Sequence, residues 1–202
     1  LSLWRFAQES KVDHFGVGAA YLISCQDQDL KSMAYQPKTI GSTGSPLPPD
    51  VFEWLNVQFP KSQIVSLSGG TDVCSAFLSG CTLRDVYAGE IQCRTLGAKI
   101  EAFDENGHPL YGEVGELVIL APMPCMPIYF WNDGANKKYF ASYFDKYSGV
   151  WSHGDWIKIT DHDGVIMYGR SDATLNRGGV RIGTAEIYNV LNRTEGVLDS
   201  LV

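Results

Sequence analysis

The sequence predicts an α/β fold in which part of a parallel α/β layer is followed by a small antiparallel β sheet or barrel. Two observations carry this. Strand, helix and strand signals alternate between residues 14 and 67, the pattern of a parallel sheet with crossover helices. From residue 84 the texture changes to short β-like runs separated by closely spaced turn signals. That spacing marks hairpins rather than crossovers.

In order along the chain, residues 1–9 read as a helix with Leu3, Phe6 and Ala7 on one side. His14-Phe15-Gly16-Val17-Gly18 is a short strand leading into a helix over residues 19–23. Lys38-Thr39-Ile40 is a strand that ends in the loop Gly41-Ser42-Thr43-Gly44-Ser45-Pro46. Pro48-Pro49-Asp50 opens a helix with Val51, Trp54, Leu55 and Gln58 at helical spacing, because proline suits a first helical turn. Residues 63–67 form a strand running into Ser68-Gly69-Gly70-Thr71-Asp72. Residues 90–94, 98–103 and 115–120 are β-like. Asp104-Glu105-Asn106-Gly107 is a hairpin turn, and Asp161-His162-Asp163-Gly164 is another, flanked by strands over 156–160 and 165–168. One helix interrupts this part, with Tyr139, Phe140, Tyr143 and Phe144 at helical spacing. Such an aromatic stripe is expected in a core. Gly169-Arg170-Ser171-Asp172 reads as a linker, Val180-Arg181-Ile182 as extended, and Thr184 as the N-cap of a helix carrying Ile187, Val190 and Leu191. The expected division is 1–83 for the α/β part, 84–168 for the β-rich part and 169–202 for the remainder.

Composition bounds the function. The 202 residues are 45% hydrophobic and 19% charged, a globular balance with little room for long disorder. Net charge is −7 and no Lys/Arg stripe occurs, so nucleic acid is not an expected partner. No apolar run reaches the roughly 18–20 residues of a bilayer span, so no membrane partner is expected. The five cysteines at 25, 74, 81, 93 and 125 include no C-x-x-C pair. They suggest neither a disulfide framework nor a zinc site, and fit free thiols in a reducing cytoplasm. The start at Leu1-Ser2-Leu3-Trp4 and the end at Asp199-Ser200-Leu201-Val202 read as cuts, so a longer protein is expected to supply the missing N- and C-terminal parts.

Four segments could carry chemistry, each expected at a strand end, where sites in α/β sheets gather. Gly41-Ser42-Thr43-Gly44-Ser45-Pro46 lets a planar ring or a phosphate approach the backbone; an ordinary loop before a helix explains it equally. Ser68-Gly69-Gly70-Thr71-Asp72 offers a hydroxyl for a phosphate oxygen and a carboxylate for a hard cation; the alternative is a helix N-terminus capped by Thr71 or Asp72. Trp151-Ser152-His153-Gly154-Asp155 presents a carboxylate that can grip a ribose diol, with His153 either a base or a hydrogen-bonded loop residue. Gly169-Arg170-Ser171-Asp172 with Asn176-Arg177-Gly178-Gly179-Val180-Arg181 places guanidinium forks among glycines, a phosphate- and ribose-binding combination or surface salt bridges in a flexible linker.

The order and spacing of these segments resemble the adenylate-forming superfamily of acyl-CoA synthetases, luciferases and peptide-synthetase adenylation domains. Ser68 to Asp72 matches the Y-G-x-T-E pattern, Gly115-Glu116-Leu117-Val118-Ile119 matches G-E-L-x-I, and Trp151 to Asp155 matches Y-x-T-G-D. Gly169 through Ile187 matches G-R-x-D-x-x-x-x-x-G-x-R-I-x-x-x-E-I. The resemblance covers essentially the whole chain. Three positions depart from the pattern: Ser68 replaces an aromatic, Asp72 a Glu and His153 a Thr. Within the superfamily, G-G-T-D, the run Tyr87 to Arg94, F-W-N-D at Phe130 to Asp133 and G-R-S-D-A-T-L-N are similar to the acetoacetate-activating branch.

The resemblance implies an ATP-dependent ligase that makes an acyl-adenylate and passes the acyl group to coenzyme A, releasing AMP and pyrophosphate. It implies that Gly44, Ser45 and Pro46, with Ser68, Gly69 and Gly70, line the nucleotide pocket. Thr71 would bond the α-phosphate, and Asp72 would hold Mg²⁺. Asp155 would hold the ribose hydroxyls with support from Arg170, and Arg181 would face the phosphate. Asp172 would be the hinge of a truncated C-terminal domain, and Gly178 and Gly179 would let the CoA arm pass. Gly69, where acetate-activating relatives carry Trp, is expected to open the acyl pocket. The 202 residues contain no T-S-G-T-T-G-x-P-K loop and no distal lysine of the C-terminal domain, so this polypeptide alone is expected to be inactive. Other short-chain acyl-CoA or aryl acid ligases, or a non-catalytic nucleotide-binding or assembly fragment, remain alternatives.

Overall fold

A computed structural model of the chain describes residues 2–173, 175–177, 180–182, 184–191, 194–197 and 200, with the backbone alone for 175–177, 180–182, 185, 186 and 189. The first part is the expected parallel layer. Helix α1 (Ser2–Ser10) precedes strand β1 (His14–Gly18), α2 (Ala19–Ser24), β2 (Thr39–Thr43), α3 (Pro49–Gln58) and β3 (Gln63–Ser66). The strands lie in the order β1-β2-β3, all parallel. In α1 the buried stripe is Trp4 and Ala7, three residues apart, while Leu3 and Phe6 stay exposed. Trp4 is preferred because its ring packs 4.2 Å from Phe15 and stacks 4.8 Å from Phe59. Leu22, Leu30, Ile40 and Leu55 complete this core. The middle strand β2 continues to Thr43, so Gly41, Ser42 and Thr43, read as loop from sequence, are strand residues paired with β1.

Beyond β3 the chain turns into a three-stranded antiparallel sheet of β4 (Ser68–Gly70), β5 (Ser75–Ser79) and β6 (Cys93–Arg94). Ser68 to Gly70 is thus strand, not loop. Thr71 to Cys74 form a turn closed by the Cys74 N–H donating to the Thr71 carbonyl at 3.1 Å, which removes the reading of a capped helix there.

The β-rich part is an antiparallel sheet of β7 (Ile100–Phe103), β8 (Pro109–Leu110), β9 (Val114–Ile119), β10 (Trp151–Ile159) and β11 (Val165–Arg170), in the order β11-β10-β9-β7-β8. Both expected hairpin turns are present, joining β7 to β8 and β10 to β11. Between β9 and β10, a 3₁₀ turn (Gly134–Asn136) leads into α4 (Lys137–Tyr143). The Asp133 carboxylate accepts from the Lys138 and Tyr139 N–H groups, both at 2.9 Å, satisfying orphan donors of the first turn. Tyr139, Tyr143 and Phe144 pack on the second core around Trp151, Phe77, Ile100, Leu117 and Ile157, whereas Phe140 is exposed. The last elements are a two-stranded pair, β12 (Leu175–Arg177) and β13 (Val180–Ile182), and α5 (Thr184–Leu191). Among the described residues no helix is long and apolar enough to cross a membrane, and the five cysteines are unpaired.

Two segments read as loops belong to strands. Trp151 to Asp155 opens β10, and Gly169-Arg170 ends β11. The reason lies in a bulge. In the β10–β9 pairing, Ser152 faces Val118 but Trp156 faces Glu116. Four steps on one strand match two on the other, so His153, Gly154 and Asp155 are pushed out of the ladder while the strand continues.

Candidate functional site

The bulge of β10 faces the C-terminal ends of β2 and β3, and two adjoining cavities meet there. The first, of about 380 Å³, is lined by Gly44, Ser45, Pro46, Ser68, Gly69, Asp155 and Arg170, together with Leu67, Ile91, Met167 and Tyr188. The second, of about 890 Å³, is lined by Gly70, Thr71, Asp72 and Asp172, together with Glu116, Tyr143, Asp145, Lys146 and Ser171. Gly69, His153 and Arg170 border both. All sequence-predicted site residues with described side chains therefore converge on one place. Gly178 and Gly179 lie outside the described residues, and Arg181 is described only as backbone, in β13.

The electrostatic centre is Asp155 with Arg170. Asp155 is buried, and burial pushes its carboxyl up to about 6 although Arg170 pulls the other way. Arg170 Nη1 lies 3.6 Å from Asp155 Oδ1. The same guanidinium grips Asp172 with Nε at 3.0 Å and Nη2 at 2.7 Å, and Nη1 donates to the His153 carbonyl at 3.2 Å. The bidentate bond to Asp172 raises the Arg170 pKa and lowers that of Asp172, as charge-assisted forks do. Gly154 makes this packing sterically feasible. Its φ is +84°, and a Cβ there would sit 2.6 Å from Arg170 Nη2.

His153 is a neutral wall rather than an exposed base. Burial, then Arg170, lowers its pKa to about 4. The Trp151 indole N–H donates to His153 Nδ1 at 3.2 Å, which assigns the ring proton to Nε2. Phe77 meets the imidazole edge-on at 4.6 Å. The 3.8 Å approach to Asp155 is therefore not an ion pair.

Gly69 corrects an expectation. It lines both cavities, but the absent side chain is not what opens them. A Cβ at Gly69 would lie 2.2 Å from the Ser75 carbonyl oxygen and 2.8 Å from Ala76 Cα. Glycine is required there because β4 and β5 approach closely beside an irregularity in their register between Ser68 and Gly69.

Several site residues were given no role by the sequence reading, Glu116 among them although it falls in the G-E-L-x-I match. Glu116 is 1% exposed; its Oε2 lies 2.6 Å from Lys146 Nζ, and its Oε1 accepts from Gly154 N–H at 2.9 Å and Ser171 Oγ at 3.1 Å. Its signal was a carboxylate at the head of the apolar run Leu117-Val118-Ile119, since a buried charge demands partners. Tyr143 donates to Asp72 Oδ2 at 2.5 Å, and burial raises its phenol pKa; at helical spacing it read only as core. Lys146 carried no signal before the fold placed it beside Glu116.

The donor set fits a nucleotide in chemical type. It offers a carboxylate next to a guanidinium, small residues across the cavity, and a hydroxyl-carboxylate pair at Thr71-Asp72. Asp72 alone would give a divalent cation one carboxylate. Among the described residues no three His, Cys, Asp or Glu side chains gather to hold a metal ion.

No protein-family model matches the chain. The acetoacetyl-CoA synthetase of Gallus gallus is 43% identical over 205 residues, 98% of this chain and 31% of the relative. The acetoacetyl-coenzyme A synthetase of Rhizobium meliloti (strain 1021) is 42% identical over 208 residues, again 98% of this chain and 31% of the relative. Among solved structures, the acetoacetyl-CoA synthetase from Streptomyces lividans superposes with a TM-score of 0.86 at 46% identity, over 100% of this chain and 32% of that one. The anthranilate CoA ligase AuaEII, in complex with anthranoyl-AMP, has a TM-score of 0.77 at 18% identity and shares the fold. The chain spans about 30% of the length of the curated relatives it matches. It is a homologue of the acetoacetyl-CoA synthetases, with the fold of the adenylate-forming enzymes over that stretch.

Proposed function

We propose that the protein to which this chain belongs is an ATP-dependent acid–thiol ligase that activates acetoacetate as its acyl-adenylate and transfers the acyl group to coenzyme A. The observation that carries this is the convergence of Gly44, Ser45 and Pro46 with Asp155 and Arg170 around one cavity, and of Thr71 and Asp72 around the next. Adenine stacks over the 44–46 segment, whose small residues admit a ring. Asp155 accepts from the ribose hydroxyls, and Arg170 holds that carboxylate in its charged form. Thr71 donates to an α-phosphate oxygen. Ser68, Gly69 and Gly70 form the backbone wall between the acyl and nucleotide sides. Asp72 is the residue that would hold Mg²⁺, which neutralises phosphate charge when bound. The assignment of Arg181 to the phosphate, and of Gly178 and Gly179 to passage of the CoA arm, belongs to the same proposal and rests on the sequence alone. Asp172 is the hinge of a C-terminal part beginning at residue 169, after an α/β part to residue 83 and a β-rich part to residue 168.

Positioning and charge neutralisation are the chemistry such a site supplies. The protein acts in the cytoplasm, where free thiols persist. A polypeptide of these 202 residues alone does not catalyse adenylation, and pyrophosphate exchange by it would refute that. The test of the function is acetoacetate-dependent ATP–pyrophosphate exchange by the full-length protein, with other short acids and aryl acids as competitors. Exchange weakened in Asp155→Ala through a raised KM for ATP, and greatest with acetoacetate, is the expected result. No exchange with any acid overturns the proposal.

A further inference from the structure

We infer that Glu116, clamped by Lys146, is a positioning residue that holds the β10 bulge in the shape that presents Asp155 and Arg170 to the nucleotide. The inference deepens the reading of Asp155 as the ribose-binding carboxylate and rests on it.

The bulge creates a problem that a side chain must solve. Between Ser152 and Trp156 the ladder to β9 loses its register, so the backbone N–H of Gly154 has no strand partner. An unpaired N–H at a buried site costs stability. Glu116, from the neighbouring strand at the register position of Trp156, supplies the acceptor at 2.9 Å. The same oxygen accepts from Ser171 Oγ at 3.1 Å, and the Ser171 N–H donates to the Gly154 carbonyl at 2.8 Å. One carboxylate oxygen thus ties the bulge of β10 to the residue that follows β11. Between those two anchors lie the groups that face the cavity: Asp155 is next to Gly154, and Arg170 is next to Ser171 and lies flat against Gly154.

A buried carboxylate needs a counterion to stay charged in this role. Lys146 fills it at 2.6 Å, with its ammonium also 5.1 Å from the Trp156 ring centroid. Glu116 and Lys146 border the second cavity. Both oxygens of Glu116 are engaged within the protein, Oε2 by Lys146 and Oε1 by the Gly154 N–H and Ser171 Oγ, which separates this carboxylate from groups that would contact a ligand directly.

The test compares ATP with 2′,3′-dideoxy-ATP in acetoacetate-dependent pyrophosphate exchange by the full-length protein, because only ATP offers the hydroxyls that Asp155 accepts from. The ratio of kcat/KM values reads the ribose grip and is blind to a uniform loss of folded enzyme. Asp155→Ala should abolish the discrimination. Glu116→Ala should reduce it roughly tenfold, the scale of one charge-assisted hydrogen bond, chiefly through the KM for ATP. If Glu116→Ala does not fold, Lys146→Met leaves the carboxylate without its counterion and should lower the ratio in the same way. The double variant Glu116→Gln with Lys146→Met keeps an acceptor for Gly154 and should restore it. Discrimination lost in Asp155→Ala but unchanged in Glu116→Ala and Lys146→Met overturns the positioning role. Discrimination unchanged in Asp155→Ala overturns the ribose reading itself, and the inference with it.

Discussion

Replacing Asp155 by Asn should make the protein more stable at neutral pH. Asp155 is buried, and its folded pKa is raised from 3.8 to about 6, chiefly by loss of solvent. A carboxyl whose folded pKa exceeds its unfolded one favours the folded state when protonated. That contribution is full below the unfolded pKa and is lost as pH rises through about 6. At about 1.36 kcal/mol per tenfold, the whole shift corresponds to about 3 kcal/mol, of which about 2 kcal/mol develops between about pH 4.5 and pH 7.5. Asparagine cannot ionise, so Asp155→Asn escapes this loss. The 3.6 Å pair with Arg170 forms only as Asp155 ionises, so its favourable contribution is already contained in the net upward shift, and Arg170 keeps its bidentate bond to Asp172 in the variant. Urea unfolding of both proteins at about pH 4.5, 6.0 and 7.5 measures the effect. The difference in unfolding free energy should move in favour of the variant by about 2 kcal/mol across the series. A flat difference, or one moving in favour of Asp155 as pH rises, would refute the argument that burial dominates this carboxyl. The gain in stability and the expected loss of nucleotide binding would come from one substitution, a common trade at functional sites.

Three further expectations are independent of that one. Gly69→Ala should lower the urea midpoint by the equivalent of about 1–3 kcal/mol, the usual cost of overpacking, because its Cβ would meet the Ser75 carbonyl; an unchanged midpoint would show that β5 yields freely. His153 should remain neutral from about pH 5 to 8 with its proton on Nε2, since its pKa falls to about 4 and Trp151 donates to Nδ1. Nitrogen NMR of the imidazole reports both, and a titration midpoint above pH 6 would contradict the burial argument. Tyr143→Phe removes the donor to Asp72 Oδ2 and should shift the Mg²⁺ dependence of exchange in the full-length protein by roughly three- to tenfold in concentration, on the scale of one hydrogen bond. No shift would place Asp72 away from the cation.

Much of the fold was legible because local rules decided it. The hairpin turns at Asp104-Glu105-Asn106-Gly107 and Asp161-His162-Asp163-Gly164, the proline-led start of α3 and the alternation that gives β1, β2 and β3 depend on near neighbours in sequence. The candidate site was legible as a set of residues for a related reason: glycines, acids and arginines in those segments lack a role in a core. What sequence could not decide was where strands stop. Trp151 to Asp155 and Gly169-Arg170 carry loop-like composition, yet they continue β10 and β11 because a bulge lets a strand carry polar residues without breaking its ladder.

Sequence by itself determined which side chains this protein can bring to the candidate site, since residue type and order along the chain survive any fold. Tertiary structure alone decided what holds them. Glu116 and Lys146 are 30 residues apart, and Ser171 lies 55 residues beyond Glu116. No local pattern couples them, because their meeting depends on the pairing of β9, β10 and β11. The role of Gly69 turned on the same cause: the space around a glycine belongs to its neighbours in three dimensions, and here the backbone of β5 occupies it.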